Sequence, residues 1–122
     1  MLAVVEDNPD NRLLLRAILG DKYDLMDYEN GVDALAGFAR SRPDLVLLDI
    51  SLPGMDGTEI LQRIRKDDAL RDLPVIALTA HAVAGDREKF IAAGFDDYVT
   101  KPIVDEALLI SAIKRHLMTR SS

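Results

Sequence analysis

The chain has 122 residues, 15 Lys and Arg against 21 Asp and Glu, a formal net charge of −6 and no cysteine. That length suits one domain, taken as residues 1–122, and the missing cysteines exclude disulfides and thiolate metal sites. The acidic balance argues against a nucleic-acid backbone or an anionic membrane surface as partner. Hydrophobic residues make up 48% of the chain, enough for a packed core. No apolar run approaches the roughly 20 residues of a membrane helix. The N-terminus lacks the basic region and long apolar stretch of a signal peptide. The expectation is a soluble cytoplasmic protein.

Short apolar runs alternate with segments of helical period. Leu2–Val5 predicts a buried strand. Asn11–Leu19 predicts a helix with Leu14, Leu15, Ile18 and Leu19 on one face, closed by Gly20 and Asp21. Tyr23–Asp27 predicts a weaker strand. Val32–Arg40 predicts a helix with Ala34, Leu35, Phe38 and Ala39 inward, broken by Pro43. Asp44–Leu48 is an almost wholly apolar strand. Pro53, Gly54 and Gly57 make a loop, and Thr58–Lys66 a helix with Ile60, Leu61 and Ile64 inward. Val75–Leu78 is a strand, Ala84–Ala93 a helix stopped by Gly94, and Asp97–Val99 a short last strand. Asp105–Met118 closes the chain as a helix, with Leu109, Ile113 and Leu117 in register.

The order is (βα)5. Continuous rather than alternating apolar strands indicate a parallel sheet covered on both faces, a three-layer α/β sandwich. The flavodoxin-like strand order 2-1-3-4-5 is the relevant five-stranded case.

In such sheets ligands bind beyond the carboxyl ends of the strands. There the sequence places Glu6, Asp7 and Asn8, then Asp49, then Thr79 and Ala80, then Thr100, Lys101 and Pro102. Three carboxylates close together repel one another, and a hard divalent cation such as Mg2+ relieves that conflict. A carboxylate is also a nucleophile toward phosphorus. Lys101 and the metal would supply counter-charge to a transferring phosphoryl group, and Thr79 a hydroxyl hydrogen bond. Singly, each residue has a plain structural role: Asp7 or Asn8 as a helix cap, Thr79 as a loop hydroxyl, Lys101–Pro102 as a turn. Together, at one sheet edge, a purely structural role is costly.

Val5-Glu6-Asp7-Asn8, Asp49 in "LVLLDISLPGMDG", Thr79-Ala80 in "PVIALTA" and Lys101-Pro102 in "DDYVTKPI" resemble the receiver domains of two-component signalling, over Leu2 to about Leu117. The resemblance implies that Asp49 accepts a phosphoryl group from a histidine kinase or histidine phosphotransfer protein. It implies Mg2+ held by Asp7, Asp49 and the Ser51 backbone carbonyl, with Glu6 acting largely through water. It makes Lys101 the partner of the phosphoryl oxygens, Thr79 the switch hydroxyl, and Tyr98 the aromatic that moves with it. The Lys101–Pro102 bond is expected to be cis, and the surface of the fourth helix, fifth strand and fifth helix (about Ala82 to Met118) to address a downstream protein target. Ser51 and His81 sit where the family tunes phosphoryl lifetime. His81 itself is expected to be a solvated loop residue, and His116 a surface residue. The chain is expected to be a monomer or weak dimer and not an enzyme in its own right. A free single-domain regulator, a relay between phosphotransfer partners and a receiver excised from a hybrid kinase all remain open.

Three other readings fit less well. A haloacid-dehalogenase-type phosphatase needs an Asp-x-Asp pair on its first strand, whereas the candidate nucleophile is on the third and Ser51 stands at the second Asp position. A flavin-binding protein needs a hydroxyl-rich phosphate cradle where this chain has "EDNPDN". A pseudo-receiver usually lacks one of the acids, the Thr or the Lys, and this chain has them all.

Overall fold

The computed structural model describes residues 1–52, 54, 57–79, 86–100 and 106–121. The elements are β1 (Leu2–Val5), α1 (Pro9–Leu19), β2 (Leu25–Tyr28), α2 (Gly31–Arg40), β3 (Leu45–Asp49), α3 (Gly57–Lys66), β4 (Val75–Thr79), α4 (Asp86–Ala93), β5 (Asp97–Thr100) and α5 (Glu106–Ser121). The strands form one sheet of order β2-β1-β3-β4-β5, and every pairing is parallel. The expected α/β architecture and strand order are both present.

Successive strand residues face opposite sides, so the sheet divides the core in two. On one side Leu2, Val4, Leu45, Leu47, Ile76 and Leu78 pack against Leu15, Ile18 and Leu19 of α1 and Leu109, Ala112 and Ile113 of α5. On the other, Ala3, Val5, Val46, Leu48, Val75 and Ala77 pack against Ala34 and Phe38 of α2, Ile60, Leu61 and Ile64 of α3, and Phe95. At about 25 cal/mol per Å2 of apolar area, each such Leu or Ile side chain gains about 1.5–3 kcal/mol on burial.

Several boundaries differ from the sequence expectation, each for a local reason. α1 begins at Pro9 because Asn8 caps it, its side chain accepting from the backbone N–H groups of Asp10 and Asn11. β2 begins at Leu25 rather than Tyr23 because the Tyr23 N–H still bonds the Leu19 carbonyl at the end of α1. It runs on to Tyr28 because the strand is in register with Leu2–Val5. α2 begins at Gly31, capped by Asn30. Ala39 is exposed and Gly37 is buried instead, beneath the Tyr28 ring that meets Phe38 edge-on. Leu14 is also exposed, outside the buried trio of its helix. α4 ends at Ala93, and Gly94 follows it with a φ of +114° that suits a residue without a Cβ. The start expected for that helix, at Ala84, lies outside the described residues.

Candidate functional site

Register brings the acids together. β1 pairs with β3 so that Val5 stands opposite Leu48, and the next residues, Glu6 and Asp49, emerge side by side at the carboxyl edge. The Glu6 N–H bonds the Tyr28 carbonyl and the Ile50 N–H the Leu78 carbonyl, tying that edge down on both sides. One carboxylate oxygen each from Glu6, Asp7 and Asp49 lies within 4.8 Å of the other two. Asp7 is exposed, whereas Glu6 and Asp49 are only 1% and 2% exposed. Two ionised carboxylates at that spacing repel by about 3 kcal/mol at an effective dielectric of about 20. Burial therefore calls for compensation. Three hard oxygen donors converging in this way suit a small divalent cation such as Mg2+.

The first turn of α1 holds Glu6. The Asn8 N–H donates to Glu6 Oε1 at 3.2 Å, Asn11 Nδ2 approaches the same oxygen at 3.4 Å, and Arg12 Nη1 donates to the Glu6 carbonyl at 2.8 Å. Asp49 is oriented from its own loop, the Ser51 N–H donating to Oδ1 at 2.9 Å. Gly57, the first residue of α3, presses on the same backbone. Its N–H bonds the Ile50 carbonyl, and a Cβ there would sit 2.7 Å from the Asp49 carbonyl oxygen and 2.6 Å from Ile50 Cα. Only glycine permits that approach.

Thr79 is the last residue of β4 and is buried. It lies one step beyond Leu78, the register partner of Asp49. Thr79 in turn pairs with Thr100, the residue before Lys101. Tyr98 is half-buried, its ring 5.4 Å from that of Phe90 in α4, which meets Phe95 edge-on at 5.9 Å. Lys101, Pro102 and His81 lie outside the described residues.

His116 corrects an expectation. It is half-buried rather than free on the surface: its side chain is 19% exposed, and Nε2 lies 3.2 Å from Oδ2 of the buried Asp97. Helical spacing aligns His116 with Ala112 and Ile113, a signal that was present in the sequence. Asn11 and Arg12 were also missed as neighbours of the acids. Their signal was position, three and four residues past a capping Asn.

A parallel five-stranded α/β sheet thus carries three converging carboxylates at its carboxyl edge, a donor set that suits a hard divalent cation. The sequence profile of the response regulator receiver domain matches residues 2–114. The chain is 40% identical over 115 residues to the polar-differentiation response regulator DivK of Brucella anthropi, covering 93% of each. It is also 40% identical over 114 residues to the sensor protein GacS of Pseudomonas syringae, covering 90% of this chain and 13% of that one. Among solved structures it resembles the receiver domain of a sensor histidine kinase from Pseudomonas aeruginosa PAO1 with a magnesium ion in its active-site cleft. That match has a TM-score of 0.85 at 37% identity and covers 95% of each chain. The chain belongs to the response regulator receiver domain family of two-component signalling. It spans about one eighth of the length of the sensor protein GacS.

Proposed function

We propose that this chain is a single receiver domain, residues 1–122, that accepts a phosphoryl group on Asp49. The observation that carries this is the convergence of Glu6, Asp7 and Asp49 within 4.8 Å at the carboxyl edge of the sheet. Mg2+ held by Asp7, Asp49 and the Ser51 carbonyl, with Glu6 through water, would offset negative charge on the transferring group. The magnesium ion in the active-site cleft of the similar kinase receiver supports a Mg2+ site in this chain.

The remaining roles belong to the chain itself. An Asp49 carboxylate oxygen attacks the phosphorus of a phosphohistidine. The P–O bond forms, the P–N bond breaks, and the released imidazole takes up a proton. Lys101 pairs with the phosphoryl oxygens. Thr79 donates its hydroxyl to them and draws its loop inward, and Tyr98 follows, altering its packing on Phe90 of α4. The new charge biases a two-state equilibrium. The changed surface of α4, β5 and α5 then addresses a protein target. A histidine kinase or histidine phosphotransfer protein is the donor, as the kinase and regulator relatives suggest. The domain assists its own phosphorylation and dephosphorylation, and acts in the cytoplasm as a monomer or weak dimer. Among the described residues no helix is long and apolar enough to cross a membrane.

Intact-protein mass after incubation with acetyl phosphate and Mg2+ tests this. The native chain gains one phosphoryl group only with Mg2+, and Asp49→Asn gains none. A gain that survives Asp49→Asn places the acceptor elsewhere.

A further inference from the structure

Arg12 sits in α1 with its side chain only 17% exposed. Nη1 donates to the Glu6 carbonyl at 2.8 Å, and Nη2 lies 3.5 Å from Glu29 Oε1. A guanidinium beside a cation site has two effects of opposite sign. As a charge it repels a divalent ion seated among the carboxylates. As a donor it fixes the Glu6 carbonyl, and with it the peptide plane that joins Glu6 to Asp7. That plane sets the direction in which Asp7 leaves the backbone.

The second effect matters because of how the two acids are held. Glu6 is gripped at its carboxylate by the Asn8 N–H and Asn11 Nδ2. The Asp7 carboxylate is exposed, so its aim rests on the backbone rather than on packing. Arg12 is thus, among the described residues, a side chain that restrains the peptide between the two.

We propose that Arg12 is a positioning residue for the cation site, holding the Glu6–Asp7 peptide so that both carboxylates converge with Asp49. This rests on the reading of that cluster as a Mg2+ site. The donor role outweighs the repulsion because a ligand displaced by about an ångström is lost to a small octahedral ion.

The test is Mg2+ affinity by isothermal titration calorimetry at fixed ionic strength, with a urea curve for each protein to confirm folding. Arg12→Met keeps the aliphatic stem but has no donor, and Arg12→Lys keeps a donor of nearly the same reach. Arg12→Met is expected to bind Mg2+ about tenfold more weakly, and Arg12→Lys close to the native chain. If Arg12→Met does not fold, Arg12→Glu replaces it: loss of the donor predicts weaker binding, added negative charge tighter. Donorless variants that bind as tightly as the native chain, or more tightly, overturn the proposal. A native chain that takes up no Mg2+ overturns the metal-site reading itself, and the role of Arg12 with it.

Discussion

His116 Nε2 of α5 lies 3.2 Å from Asp97 Oδ2 at the start of β5, and Arg115 Nη1 meets the same oxygen at 3.1 Å. Asp97 Oδ1 accepts from the Tyr98 N–H at 2.8 Å. A carboxylate 4% exposed thus joins the last strand to the last helix, one residue before Tyr98, the aromatic proposed to move with the switch.

Removing the hub should cost more than removing either partner. Asp97→Ala leaves the Tyr98 N–H and the ring of His116 without this acceptor, an expected loss of about 2–3 kcal/mol. Arg115 is 57% exposed, so Arg115→Ala should change stability by less than about 1 kcal/mol. Urea midpoints at constant slope measure both. Equal effects from the two variants would show that Asp97 is not the hub.

Arg65 ties three segments together. Nε and Nη2 donate to the Gly94 carbonyl at 3.1 and 2.7 Å, and Nη1 to the carbonyls of Arg71 and Leu73 at 2.9 and 2.6 Å. Nη2 also reaches Asp96 Oδ2 at 3.0 Å, and that same oxygen accepts from the Val75 N–H. Arg65→Met should destabilise by about 2–3 kcal/mol, as partly buried acceptors lose a charged donor. Arg65→Lys should recover only part of this, because an ammonium cannot span the fork. Hydrogen exchange at the Val75 amide is expected to accelerate in both variants. Unchanged exchange there would refute the coupling through Asp96.

Gly57 predicts a link between stability and the site. Gly57→Ala forces a Cβ into the Asp49 and Ile50 backbone, at an expected cost of about 1–3 kcal/mol. The relief must come from moving that backbone, so Mg2+ affinity should fall severalfold as well. Thermal unfolding and titration calorimetry read the two effects separately. Native affinity in a destabilised Gly57→Ala would mean the strain is absorbed on the α3 side.

The fold was legible because its cues are local. Runs such as Leu45–Leu48 cannot sit on a half-solvated sheet, and the caps and glycines between them mark where elements end; periodicity gives the class, whereas the strand order follows the known five-stranded case. Glu6, Asp7, Asp49 and Thr79 could be read as site candidates because the parallel topology sends every strand end to one edge. What the sequence hid depends on side chains meeting across elements. Nothing along the chain pairs Arg65 with Gly94, 29 residues away, or His116 with Asp97. Tyr23 was misassigned because its apolar character favours a strand, while its N–H is still engaged by the end of α1.

The central sheet separates two oily compartments that share strands but not side chains. A volume change at Ile18 is felt under α1 and α5, and one at Ile64 under α2 and α3. Their costs should simply sum. Each compartment can therefore be repacked by drift without disturbing the other. A covering helix on one side can be reshaped for a new partner while the opposite half of the molecule keeps its original solution.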